Sequence, residues 1–248
     1  MKFHILTLFP RMISAFLSEG LLKVAIEKSA IEVNIVDIRD FTTDKHRTAD
    51  DYPFGGGPGM VLKPEPVFLA VESVLGARPI RSVPTILLSA EGRVFNHKVA
   101  QELSQKNELI LLCGHYKGVD ERIRLHLVTD EISIGDYVIS GGELAALVVV
   151  DAVTRLLPGA LGDFGSAETD SFYDGLLGCG YYTRPREFRD YKVPEVLISG
   201  DHEAIRKWRR RDSLKKTYLR RPDLLKNAKL SQEDLRILEE IKSEVNSN

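Results

Sequence analysis

Short apolar runs with a glycine at or just beyond their ends constrain this chain most. Glu108-Leu109-Ile110-Leu111-Leu112-Cys113 stops at Gly114, Val128 to Ile134 stops at Gly135, and Pro84 to Leu88 is a third such run. Runs this short suit strands buried on both faces, as parallel sheets require. Upstream, Phe3 to Phe9 reads as a strand stopped by Pro10, and Ile31 to Val36 alternates apolar with polar residues. Met12 to Lys28 lies between them with helical spacing, and helical patterns separate the later strands. Strands alternating with helices predict an α/β domain with a mostly parallel sheet up to about residue 159.

After Pro158-Gly159 the composition changes. Residues 160–180 are rich in Gly, Ser, Asp and Glu with little periodicity, which predicts a flexible linker. From Asp201 onward the patterns are helical. Asp201 is a candidate N-cap, and Ser231 with Asp234 resembles a capping box. The expected organisation is an α/β domain over 1–159, a linker over 160–180 and a small helical domain over 181–248. Residues 39–64 read as one long loop, a length usually functional or disordered.

Hydrophobic residues make up 43% and charged residues 28%, which excludes disordered, collagen-like and membrane-embedded chains. The longest apolar run, from Leu144, is broken at Asp151 after seven residues; a membrane span needs roughly 20. The amino terminus has no signal-peptide pattern. Cys113 and Cys179 have no metal-ligand spacing, so two reduced thiols in a cytoplasmic protein are expected. The net charge of −2 hides an asymmetry: Arg206 to Arg221 holds nine Lys/Arg against Asp212 alone, +8 in 16 residues. Trp208 and Tyr218 are interleaved with these cations. Lys and Arg neutralise phosphates and aromatic rings stack on bases, so the segment points to nucleic acid rather than to a merely solvated helix face.

Three glycine-bearing segments stand at or near strand ends: Leu88 to Arg93, Cys113 to Gly118 and Ser133 to Glu143. In α/β sheets ligands bind beyond the carboxyl ends of the strands, and glycine lets backbone approach a ligand closely. Together they predict a pocket. Gly55-Gly56-Gly57-Pro58-Gly59 is not a dinucleotide loop, because Thr48 to Pro53 before it is no strand and Met60 to Pro64 after it offers no helix start. His97, His115 and His202 are isolated and read as ordinary polar residues. From residue chemistry alone, Asp170 is a turn or cap residue and Arg155 a cation closing a helix.

The assembled motifs resemble the bacterial tRNA (guanine-N1)-methyltransferase family, of the knotted SPOUT class. The carriers include Leu8-Phe9-Pro10, Arg39-Asp40-Phe41, Asp50-Asp51, Gly55 to Met60, Asp120-Glu121-Arg122, the string Ser133 to Leu144, Asp170-Ser171-Phe172, Tyr182-Thr183-Arg184-Pro185 and Leu219 to Pro222. They run in order through nearly the whole chain. The resemblance implies a deep trefoil knot and a homodimer with active sites shared between subunits. It implies methylation of N1 of guanosine 37 of tRNA, with S-adenosylmethionine held by Leu88, Ser89, Gly114, Tyr116, Ile134, Gly135, Asp136, Tyr137, Val138, Ile139 and Gly141. Asp170 becomes the general base and Arg155 the cation facing the developing charge on guanine O6. The linker becomes a lid over bound tRNA. Asp50, Ser166, Arg206, Lys207, Arg209, Arg210, Lys215, Lys216 and Arg220 become tRNA contacts.

The chain departs from the usual family pattern at Ala90-Glu91, His115, Lys117, Gly178 and Gly180. Lys117 and Gly178 stand where relatives commonly carry carboxylates that could hold Mg²⁺. The expectation is therefore Mg²⁺ as an accessory ion at most, with reduced dependence, and no metal-ligating residues of this chain. Two other readings stay open on sequence alone: an RNA-binding protein without chemistry, and a methyltransferase acting on a ribose 2′-hydroxyl.

Overall fold

The computed structural model describes residues 1–161 and 169–247. The chain divides into two units, Met1–Phe164 and Gly165–Asn248.

The first unit is built on five parallel strands: β1 (Lys2–Thr7), β2 (Glu32–Asp37), β5 (Thr85–Val94), β6 (Glu108–Cys113) and β7 (Asp130–Ser133), in the order β2-β1-β6-β5-β7. Helices α1 (Pro10–Leu17), α2 (Gly20–Glu27), α4 (His97–Ser104) and α6 (Glu143–Thr154) contribute to the core on one face, around Phe3, Ile5, Leu109 and Leu111. Helices α3 (Pro64–Leu75) and α5 (Glu121–His126) contribute on the other, around Leu6, Ile110 and Leu112. Successive side chains of β6 thus enter opposite cores, which is why its sequence reads as an unbroken apolar run. Each such Leu or Ile, fully buried, contributes about 1.5–3 kcal/mol.

Four sequence expectations are corrected here. The helical spacing over Met12 to Lys28 resolves into two helices, α1 and α2, with Gly20, the first residue of α2, at φ +61° where the chain turns. Residues 39–64 are not one open loop. A 3₁₀ turn (Ile38–Phe41) is followed by a short antiparallel pair, β3 (Asp50–Asp51) with β4 (Val61–Leu62). The glycine run turns between these strands, with positive φ at Gly55, Gly56, Gly57 and Gly59. A helix does begin just afterwards, at Pro64, whose missing N–H costs nothing at the first helical position. Finally, β5 does not end at Leu88. Leu88 and Arg93 both register with Ile132, so residues 89–92 bulge out and the strand resumes to Val94. Gly92 is required at the return: a Cβ there would lie 2.4 Å from the Glu131 and Ile132 backbone. Arg124 holds the bulge by pairing with Glu91 at 2.8 Å and Glu131 at 3.0 Å.

The second unit contains a hairpin of β8 (Glu187–Phe188) and β9 (Tyr191–Lys192), then α7 (His202–Arg220), α8 (Pro222–Leu225) and α9 (Gln232–Asn246). Asp201 caps α7 through the Glu203 and Ala204 amides, and Ser231 with Asp234 forms the capping box that starts α9. Its core gathers Leu176, Leu214, Leu238 and Ile241. Leu176 lies within the segment expected as a linker. The Leu177 amide donates to Thr217 Oγ1 at 2.9 Å and the Gly180 amide to Asp212 Oδ2 at 2.6 Å. Residues 176–180 are thus packed on α7, because Leu176 finds an apolar seat that the local composition does not announce.

Candidate cofactor cleft and cationic surface

The three glycine-bearing segments meet. A cleft of about 300 Å³ opens at the β5 bulge and beyond the carboxyl ends of β6 and β7. It is lined by Leu88 and Ser89 from the β5 bulge, Gly114 and Tyr116 after β6, and Ile134, Gly135, Tyr137, Val138, Ile139 and Gly141 after β7. Asp136 is exposed and is not among the lining residues.

Backbone chemistry fixes these walls. The Gly142 amide donates to the Gly114 carbonyl at 2.8 Å, and His115 bridges Gly141 in antiparallel fashion. A Cβ at Gly142 would fall 2.7 Å from Cys113 Cα, so the two segments could not close around a side chain. Gly135 has φ +151°, and a Cβ there would meet the Tyr137 ring at 2.5 Å. Ser133 Oγ both donates to the Gly135 carbonyl at 3.0 Å and accepts from its amide at 3.2 Å. Tyr116 turns with φ +61°.

Behind the lining lies a buried polar group to which the sequence reading gave no role. Glu143 is 2% exposed at the start of α6, directly before the apolar run Leu144 to Val150. One carboxylate oxygen accepts from the fully buried Thr7 hydroxyl at 2.6 Å; the other is 2.8 Å from His115 Nε2, where the ring nitrogen donates. The Thr7 oxygen also accepts from the Phe9 amide at 2.8 Å, and the Phe9 ring sits 4.9 Å from His115. His115, an ordinary polar residue on sequence alone, is thus clamped in the cleft wall. The only sequence signal was one acid opening an apolar run directly after Gly141-Gly142. Burial and the Glu143 charge push the neighbouring Cys113 thiol well above its ordinary pKa, so it stays protonated.

Lys117 also lines the cleft. Its amide donates to the Met60 carbonyl at 2.9 Å and its side chain lies over Gly59, where a Cβ would meet Cγ at 2.7 Å. Arg155 is half-buried as the C-cap of α6 in the first unit. Asp170 is exposed in the second unit, its carbonyl accepting from the Tyr173 amide at 3.5 Å. Asp50 is half-buried in β3, and Ser166 lies outside the described residues.

The structure divides the cations of α7. Arg206 and Lys207 share Glu203 at 2.8 and 3.5 Å, Lys215 is 3.8 Å from Glu244, and Lys216 pairs with Asp212 at 3.0 Å. Arg210 is held by Asp234 at 2.7 Å and Asp174 at 2.5 Å. This pairing holds the Asp234 carboxyl down at about 2. Arg209 and Arg220 stand without an acidic partner among the described residues. Sequence counts charges; it does not show which the fold has already neutralised.

A family model described as tRNA (Guanine-1)-methyltransferase TrmD matches residues 1–227. The tRNA (guanine-N(1)-)-methyltransferase of Moorella thermoacetica is 57% identical over 241 residues, covering 97% of this chain and 96% of that protein. Those of Dictyoglomus turgidum and Bacillus cereus strain AH820 are 54% and 53% identical, covering 99% and 98% of this chain, and 98% and 99% of their own lengths. With a glycine-walled cleft at the carboxyl ends of a parallel sheet and a match spanning nearly every residue, the chain belongs to the tRNA (guanine-1)-methyltransferase family.

Proposed function

We propose that this protein methylates N1 of guanosine 37 of tRNA, using S-adenosylmethionine held in the cleft at the β5 bulge and beyond β6 and β7. The observation that carries the reading is the convergence of the three glycine-bearing segments on that cleft within a full-length family match. The residues fit the cofactor. The apolar walls Leu88, Ile134 and Ile139 suit a flat adenine, and glycine backbone is free to approach a ligand. Bound there, the sulfonium supplies an electrophilic methyl group.

The remaining chemistry falls to side chains. Guanine N1 carries a proton and is a poor nucleophile until it leaves. Asp170 accepts that proton as general base, freeing the N1 lone pair for in-line attack. Negative charge then grows on O6, and the Arg155 guanidinium stabilises it. The two residues belong to different units of one chain. A homodimer with shared sites is part of the proposal, and exposed Phe9, Met12 and Phe16 on or beside α1, with Leu144 and Val148 on the contacting α6, support it as apolar surface suited to a partner subunit. A trefoil knot at the cleft is part of the same proposal and rests on the family match.

Mg²⁺ fits less well. Among the described residues no group of three or more His, Cys, Asp or Glu side chains could hold a metal ion, and Lys117 brings a cation to the cleft.

The test is nucleoside analysis of unmodified tRNA incubated with the protein and S-adenosylmethionine. The expected product is 1-methylguanosine at position 37; a 2′-O-methyl product, or none, overturns the reading. Asp170→Asn should lower the single-turnover rate by roughly 10²–10⁴ with cofactor affinity retained. A variant keeping more than half the wild-type rate refutes the general base.

A further inference from the structure

Three cations of the second unit that form no ion pair among the described residues converge. A cleft of about 350 Å³ in that unit is lined by Arg184, Arg186 and Arg209 together with Tyr181 and Tyr182, and its lining includes no Asp or Glu. Its apolar side comes from Val193, Leu197, Ile198 and Ile205. The Val193 amide donates to the Arg186 carbonyl at 2.9 Å, so the β8–β9 hairpin sets the backbone that carries Arg186. Tyr182 packs edge-on against Trp208 of α7 with ring centroids 6.2 Å apart. Among the described residues, none of these three arginines forms an ion pair, whereas Arg206, Lys207, Arg210, Arg211, Lys215 and Lys216 nearby all do.

Three like charges gathered without an acid repel one another, and an anion relieves that repulsion. A guanidinium fork matches the oxygens of a phosphodiester. A bare phosphate would not use the tyrosine rings or the apolar side. A nucleotide uses all three, with its phosphate on the arginines and its base or ribose against the rings. The volume falls at the low end of the roughly 300–1,000 Å³ of small-ligand sites.

We propose that this cleft seats one unstacked nucleotide of the substrate tRNA through Arg184, Arg186 and Arg209. The grip on tRNA is then centred on this cleft, not spread along the basic face of α7. The inference rests on the tRNA reading above and adds a site to it.

The experiment uses the full-length protein and unmodified tRNA. Arg184→Gln/Arg186→Gln/Arg209→Gln is compared with Arg206→Gln/Lys207→Gln/Lys215→Gln, which removes the same charge from cations already paired. Dissociation constants are measured against salt, with S-adenosylmethionine binding and melting temperature as checks on the rest of the molecule. The cleft variant should bind tRNA about tenfold or more weakly, with a salt slope lower by about two to three units. The control should lose less than half as much. Equal losses in the two variants, or none in the cleft variant, overturn the proposal while leaving wild-type methylation intact. A wild-type protein that neither binds nor methylates tRNA overturns the functional reading itself. If the triple variant unfolds, Arg186→Gln at its exposed position carries the comparison, with an expected slope change of about one unit.

Discussion

Glu143 is the residue on which the cofactor cleft should prove most dependent. Truncation to Ala removes the acceptor for the Thr7 hydroxyl, which has no access to water, and for His115 Nε2. An unsatisfied buried hydroxyl costs about 1–3 kcal/mol. His115, whose side chain is 13% exposed, recovers part of its loss through solvent, and the space left by the carboxylate adds a cavity cost. Glu143→Gln keeps the shape and, with its oxygen toward Thr7, that bond; its NH₂ then faces His115 Nε2, which must switch tautomer and accept, so charge-assisted bonds give way to neutral ones at a loss of about 1–2 kcal/mol. The desolvation cost of the carboxylate vanishes in both variants, so their difference isolates the bonds and the space. Glu143→Ala should therefore be less stable than Glu143→Gln by about 2–3 kcal/mol, or roughly 4–12 °C in melting temperature for a unit of this size. Its affinity for S-adenosylmethionine should fall as well, because His115 and Gly141 line the cleft. Thermal melting by circular dichroism and calorimetric titration of the cofactor decide this. Melting curves for the two variants that agree within about 0.5 kcal/mol would refute the buried clamp.

Other perturbations follow from the same geometry. If sites are shared across a dimer, coexpressing a Gly135→Val subunit, whose side chain collides with Tyr137, with an Asp170→Asn subunit should restore part of the activity in the purified heterodimer; none at all would argue for self-contained subunits. Lys117→Glu should raise the Mg²⁺ dependence of single-turnover methyl transfer on pre-folded tRNA held in spermidine, and wild type losing nearly all activity in EDTA would sink the idea. Asp234 has its folded pKa depressed to about 2, chiefly by Arg210. A depressed carboxyl stabilises above its unfolded value near 3.9 and loses that stability as pH falls through its folded value. The second unit should thus lose about 2 kcal/mol between roughly pH 4 and pH 2. Arg210→Gln should move that loss upward in pH, and an unchanged acid-unfolding midpoint would contradict the pairing.

Sequence alone determined the strand-and-helix alternation of the first unit, the segments that wall the cleft, and the helix starts at Asp201 and Ser231. Each is a local property: apolar residues must leave water with the period of their element, glycine takes conformations other residues cannot, and a cap bonds amides two or three residues away. Resemblance added expectations about the knot, the dimer and the roles of Asp170 and Arg155 that no local rule contains. Tertiary structure decided matters of distance. It joined Thr7, His115 and Glu143, 136 residues apart at their extremes, into one buried group. It turned the expected end of β5 into a bulge, because β7 pairs on both sides of the insertion. It seated Leu176 in a core where composition suggested a linker. Above all it separated the cations of the basic helix into those paired with neighbouring carboxylates and the few that stand without an acidic partner among the described residues, since charge is legible in a sequence but its pairing depends on what the fold brings within about 4 Å.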